Sequence, residues 1–150
     1  MSQVNTKESI TILNIAKAQN PIIAQYLQSI PAGFPSPAAD FIQDEINFNT
    51  LLVPRPSSTF VIKVQGESMI EAFIPNNALL IVDKSIKPAN NNIVVAIIDG
   101  EFTVKRFIKN SSGIMLIPAN AKFKPIPITD EMDFRVWGTV TKIITNAFEV

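Results

Sequence analysis

The sequence predicts a mainly β fold, an antiparallel barrel-like or sandwich body preceded by an extended N-terminal arm. Three observations carry this. From Thr59 onward the chain is a succession of short apolar, β-branched runs of strand length, separated by turn residues with little helical periodicity between them. Asp99-Gly100 falls between two such runs and reads as a tight hairpin turn, because glycine tolerates positive φ. Upstream, Pro31-Ala32-Gly33-Phe34-Pro35-Ser36-Pro37 combines three prolines with a glycine, which forbids regular helix and favours an extended, accessible segment.

Taken in order, residues 1–30 are polar with scattered apolar positions. Ile10, Leu13, Ala16 and Lys17 follow helical spacing weakly, so a short or conditional helix is expected there. The proline cluster marks the clearest boundary, dividing an arm (1–32) from a body (33–150). Ala38 to Asn49 carries Phe41, Ile42, Glu45, Ile46 and Phe48 in a pattern suited to one short amphipathic helix. Strands are expected over Thr59 to Val64, Ala78 to Val82, Ile93 to Ile98, Glu101 to Ile108, Ile114 to Ile117, Pro125 to Thr129 and Phe134 to Ile144. Such a series implies antiparallel pairing rather than an α/β fold.

Composition narrows the chemistry. A chain of 150 residues fits one domain, which on folding buries roughly two-thirds of its surface. Lys plus Arg equals Asp plus Glu at 13 each, so no global field favours a polyanion and direct nucleic-acid binding is not indicated. No apolar stretch reaches the roughly 18 residues that span a bilayer, and no secretory leader pattern follows Lys7 and Glu8. A cytoplasmic location without membrane contact is expected.

There is no Cys and no His. Their absence removes Ser-His-Asp triads, cysteine nucleophiles, disulfides and the usual zinc sites. Serine paired with lysine survives, as do carboxylate mechanisms and hard-metal sites made of oxygen ligands. No residue pattern calls for a metal or a cofactor.

Gly66-Glu67-Ser68-Met69 follows directly on a predicted strand, so Ser68 lies in a sharp turn where backbone N–H groups can face a ligand. That suits a nucleophile beside an oxyanion hole, although serine after glycine is most often ordinary turn chemistry, and Ile70 breaks the G-x-S-x-G pattern. Lys105 lies on the strand that begins at the Asp99-Gly100 turn. Period-two alternation puts Thr103, Lys105 and Phe107 on one face and Phe102, Val104 and Ile108 on the other. Lysine on a strand is commonly a solvated edge residue. To act as a base it must be neutral, which from about 10.4 requires a depression of roughly three units, about 4 kcal/mol, and burial beside apolar groups can supply that.

Gly66-Glu67-Ser68-Met69, Leu79-Leu80-Ile81-Val82-Asp83 and Asp99-Gly100-Glu101-Phe102-Thr103-Val104-Lys105-Arg106 together resemble the self-cleaving LexA and UmuD family of serine peptidases. Phe34-Pro35-Ser36-Pro37-Ala38-Ala39-Asp40 after Ala32-Gly33 resembles its UmuD branch in particular, which comprises accessory subunits of error-prone translesion polymerases. The resemblance implies a LexA-type peptidase domain in which Ser68 is the nucleophile and Lys105 the base. It also implies an oxyanion hole of backbone N–H groups at Glu67 and Ser68, and a scissile Ala32-Gly33 bond. The sequence departs from the best-known UmuD pattern in having Ala rather than Cys before that bond, preceded by Pro31. The partners implied are a RecA nucleoprotein filament that triggers cleavage after DNA damage, a second copy in a homodimer, and the catalytic subunit of an error-prone polymerase. Phe41, Ile42, Ile46 and Phe48 are apolar residues available to the dimer.

Three other readings compete. A LexA-like or phage-type repressor would share the peptidase but needs a helix-turn-helix module, and residues 1–32 offer only Lys7 and Lys17 as basic residues and one weak helix. A type I signal peptidase also uses Ser and Lys, but from a membrane anchor. In a non-catalytic interaction domain, Ser68 and Lys105 would have no chemical part.

Overall fold

The computed structural model describes residues 9–13, 23–27, 32–35, 37 and 43–148. In chain order these form β1 (Ser9–Leu13), β2 (Ile23–Leu27), β3 (Gln43–Asn47), α1 (Phe48–Leu52), β4 (Thr59–Gln65), β5 (Leu79–Asp83), β6 (Ile93–Ile98), β7 (Glu101–Asn110), β8 (Gly113–Ile117), β9 (Ile126–Pro127) and β10 (Phe134–Ile144). Contacts divide the chain into two compact units, Met1–Ile15 with Arg55–Val150, and Ala16–Pro54.

The larger unit holds an eight-stranded sheet in the order β1-β4-β5-β10-β6-β7-β8-β9, with every neighbouring pair antiparallel. The expected strands are present, with ends shifted by a residue or two, and the Pro125 to Thr129 run shrinks to a two-residue strand. The hairpin between β6 and β7 closes at Asp99 (φ 48°) and Gly100 (φ 80°), the pair of left-handed residues that a two-residue turn needs.

Alternation along the strands feeds two cores, one on each face of the sheet. Ile62 and Val64 of β4, Leu80 and Val82 of β5, Val95 of β6 and Val104 of β7 build the larger one, joined by Met69, Ala72, Ile74 and Ala78 from the β4–β5 connection. Val94 and Ala96 of β6, Phe107 of β7 and Leu116 of β8 build the smaller. Each strand of the centre is therefore apolar on both sides, as its unbroken β-branched sequence requires. The sheet curls into a half-barrel, bringing β1 near β7.

Two elements correct the sequence reading. The weak helix expected around Ile10 to Lys17 is a strand where it is described: β1 pairs antiparallel with β4 from Ser9↔Gln65 to Leu13↔Val61. Ile10-Thr11-Ile12 is a β-branched run, and the open edge of β4 plus a seat for Ile10 on the larger core outweigh a marginal helical spacing. Likewise, the helix expected over Ala38 to Asn49 begins only at Phe48. Gln43–Asn47 instead pairs with β2 from Ile23↔Asn47 to Leu27↔Gln43, within the smaller unit. Asn47 ends the strand and starts the helix, its side-chain oxygen accepting from the N–H groups of Asn49 (2.9 Å) and Thr50 (3.4 Å). Phe41 and Ile42 lie outside the described residues, while Ile46 and Phe48 are half-buried.

Candidate active site

The chain leaves β4 through Gly66, whose φ of 118° is open only to glycine without strain. Its N–H donates to Asn76 Oδ1 at 2.9 Å, fixing the start of the turn. Residues 67–73 then wind tightly: Ile70 N–H donates to the Glu67 carbonyl (3.3 Å), and Ala72 and Ile74 N–H both donate to the Met69 carbonyl (3.0 and 3.3 Å). Met69 and Ala72 are sunk into the larger core, so the turn is anchored by its apolar residues while Ser68 faces inward at 2% exposure.

Lys105 enters from the middle of β7, paired in register with Val94. It is 4% exposed, so it is no edge lysine. Nζ lies 3.0 Å from Ser68 Oγ, 2.8 Å from Thr103 Oγ1 and 3.0 Å from the Val104 carbonyl oxygen. As an ammonium the group donates to all three. As a neutral amine it can donate to Thr103 and Val104 and turn its lone pair to the Ser68 hydroxyl, which then becomes the donor. Burial among apolar strands works against the charged form.

The structure thus brings Ser68 and Lys105 together across 37 residues of sequence. Glu67 precedes Ser68 in the same turn. Ala32 and Gly33 belong to the smaller unit, in an exposed stretch without regular structure between β2 and β3. Pro31 lies outside the described residues. Sequence reasoning put Thr103 on the correct strand face but gave it no role, and it missed Asn120, whose Nδ2 donates to the Glu67 carbonyl at 2.8 Å. Nothing in the run Pro118-Ala119-Asn120 signals that contact.

A second polar cluster, centred on the buried Asp83, lies at the end of β5. The Asp83 carboxylate accepts from Arg55 Nε (2.6 Å), Ser58 Oγ (2.9 Å), Ser85 N–H (2.8 Å) and Ser85 Oγ (2.6 Å). Burial by itself raises its pKa, but the hydrogen bonds from Ser85, Arg55 and Ser58 outweigh that and hold the carboxyl well below the usual carboxylate range.

Fold and site together define a class: a curled antiparallel domain in which a buried lysine amine meets a serine held on a tight turn, the arrangement of Ser/Lys hydrolases. Comparison with known proteins gives the family. Residues 21–141 match the peptidase S24-like family. The chain is 37% identical over 136 residues to Protein SamA of Salmonella typhimurium, covering 89% of this chain and 94% of SamA. It is 40% identical over 117 residues to Protein MucA of Escherichia coli (77% of this chain, 80% of MucA). Over 118 residues it is 41% identical to the LexA repressor of Clostridium botulinum, covering 79% of this chain but 59% of the repressor. The chain belongs to the peptidase S24-like family of self-cleaving serine peptidases, among its UmuD-like members. Among the described residues no helix is long and apolar enough to cross a membrane.

Proposed function

We propose that this UmuD-like protein of SOS mutagenesis is an endopeptidase that cuts its own Ala32-Gly33 bond, with Ser68 as nucleophile and Lys105 as general base. The observation that carries the reading is the 3.0 Å contact between Lys105 Nζ and Ser68 Oγ, both groups being almost wholly buried. Lys105 in its neutral form takes the Oγ proton as Oγ bonds to the Ala32 carbonyl carbon, and the carbonyl π pair moves to oxygen. The N–H groups of Glu67 and Ser68 receive that oxyanion. When the pair returns, the bond to the Gly33 nitrogen breaks and the new amine takes the proton from Lys105. Lys105, neutral again, then takes a proton from water as the water oxygen bonds to the Ala32 acyl carbon, and returns that proton to Ser68 Oγ as the ester bond breaks, leaving a carboxyl group at Ala32. Small residues on either side of the bond suit an extended backbone entering close to a buried hydroxyl.

In this reading cleavage is stimulated by a RecA filament after DNA damage. The trimmed homodimer, in the cytoplasm, then serves as accessory subunit of an error-prone polymerase whose catalytic subunit makes the DNA contacts. The test is incubation of the purified full chain at alkaline pH with mass spectrometry of the products. A fragment ending at Ala32, absent from Ser68→Ala, is expected. An uncut chain under alkaline conditions and with a RecA filament would reduce the protein to an interaction domain.

A further inference from the structure

We propose that Asn120 is a positioning residue for the reaction, gripping the peptide that carries the Ser68 N–H so that this donor is held at a fixed angle. The inference rests on the reading of Ser68 as nucleophile and extends it to a residue 52 positions away in sequence, the difference of the two numbers.

The grip is geometric. The described residues contain no cis peptide, so in the Glu67–Ser68 unit the carbonyl and the N–H point in opposite directions in one plane. Whatever fixes the Glu67 oxygen also fixes the direction of the Ser68 N–H. Two donors reach that oxygen: the turn's own Ile70 N–H at 3.3 Å and Asn120 Nδ2 at 2.8 Å. The shorter bond comes from outside the turn. A turn held only by its own longer bond can rock about its ends, and rocking swings the N–H through the position where an oxyanion would form.

The holder is itself held. Asn120 Oδ1 accepts from Lys122 N–H at 3.0 Å and the Asn120 carbonyl accepts from Phe123 N–H at 3.1 Å. The Lys122 N–H can only donate and the Glu67 oxygen can only accept, so the amide has one consistent orientation. Its neighbour Ala119 braces the far side of the same turn, its carbonyl accepting from Glu71 N–H (2.8 Å) and its N–H donating to Met69 Sδ (3.3 Å). The 119–120 segment therefore touches the nucleophile turn at both of Ser68's neighbours, Glu67 and Met69, and again at Glu71, and of these contacts Asn120's is the one that acts on the oxyanion donor.

Asn120→Asp separates this role from a purely structural one. Aspartate keeps the oxygen that Lys122 N–H needs but sets a second, anionic oxygen against the Glu67 carbonyl, whereas Asn120→Ala loses both bonds. The full chain is compared with both variants by self-cleavage rate across alkaline pH, by urea unfolding, and by the labelling rate of Ser68 with a fluorophosphonate, which also needs an oxyanion donor. Both variants are expected to lose about tenfold or more in plateau rate and in labelling, with the pH midpoint unmoved in the uncharged Asn120→Ala. Native rates in Asn120→Asp, with loss confined to Asn120→Ala, would assign Asn120 to folding the 119–123 loop and overturn the proposal, as would a shifted pH midpoint in Asn120→Ala. If the native chain fails to self-cleave yet labels at Ser68, the Ala32-Gly33 reading falls and the Asn120 comparison still stands on labelling. If Ser68 neither cleaves nor labels, both fall together.

Discussion

The two polar clusters of the larger unit, one centred on the buried Lys105 amine and one on the buried Asp83 carboxylate, differ in what their partners can do. Asp83 is surrounded by donors alone: a guanidinium, two hydroxyls already turned toward it and a backbone N–H. Every one of them stabilises the charged carboxylate, and the depressed pKa follows. Lys105 Nζ has three acceptors within 3.0 Å, and one of them, the Ser68 hydroxyl, can reverse its hydrogen bond and give up a proton. A buried charge whose partners all favour one protonation state serves structure; one whose partner can exchange a proton with it can serve chemistry. That distinction gives the two clusters different roles.

The largest effect should separate them by activity. Ser68→Ala and Lys105→Ala are each expected to lower self-cleavage by about 10³-fold or more, non-additively when combined, because the two groups act as one unit. Their urea midpoints should stay near that of the native chain. A Lys105→Ala protein that cleaved at the native rate with the same pH dependence would remove lysine from the mechanism.

Asp83→Ala should do the converse. It removes the buried carboxylate on which Arg55, Ser58 and Ser85 converge, costing about 2–4 kcal/mol in urea unfolding while the folded fraction still cleaves. The same carboxylate sets an acid limit. Because its folded pKa lies below the unfolded value of about 3.9, its contribution is complete above that pH and is lost as pH falls toward the folded value. In Asp83→Asn, the acid-side loss of stability between pH 5 and 2, roughly the span of that titration, should flatten. Loss of cleavage by folded Asp83→Ala would show that the clusters are not separable.

A smaller effect sharpens the comparison at Lys105. Thr103→Val removes one acceptor that favours the ammonium over the amine, so the pH midpoint of cleavage should move downward, read from rate profiles. An upward shift would mean that Thr103 supports the neutral amine instead. Smallest is Arg55→Ala: its side chain is 51% exposed and solvent screens the pair, so a loss of about 1 kcal/mol or less is expected, well under that of Asp83→Ala.

Much of this was legible in the sequence because strand patterning is local. The β-branched runs, the Asp99-Gly100 turn and the alternation along Glu101 to Ile108 each depend on residues a few positions apart, and the sheet reproduces them. The absence of His and Cys left serine with lysine among the chemistries open, and the resemblance to the LexA and UmuD family is what singled out Ser68 and Lys105. The N-terminal segments were less legible, because Ser9–Leu13 and Gln43–Asn47 take their form from strand partners far away in sequence. Only the tertiary structure decided that Lys105 is buried and that it reaches Ser68. In sheet order β4 and β7 are separated by β5, β10 and β6, and in a flat sheet would lie about 19 Å apart at roughly 4.8 Å per strand. Curling of the sheet and the fold of the turn after Gly66 reduce that to one hydrogen bond, and bring Asn120 onto the Glu67 carbonyl. No local pattern encodes such a distance, because it is the sum of twist over many strands and of what the two cores allow.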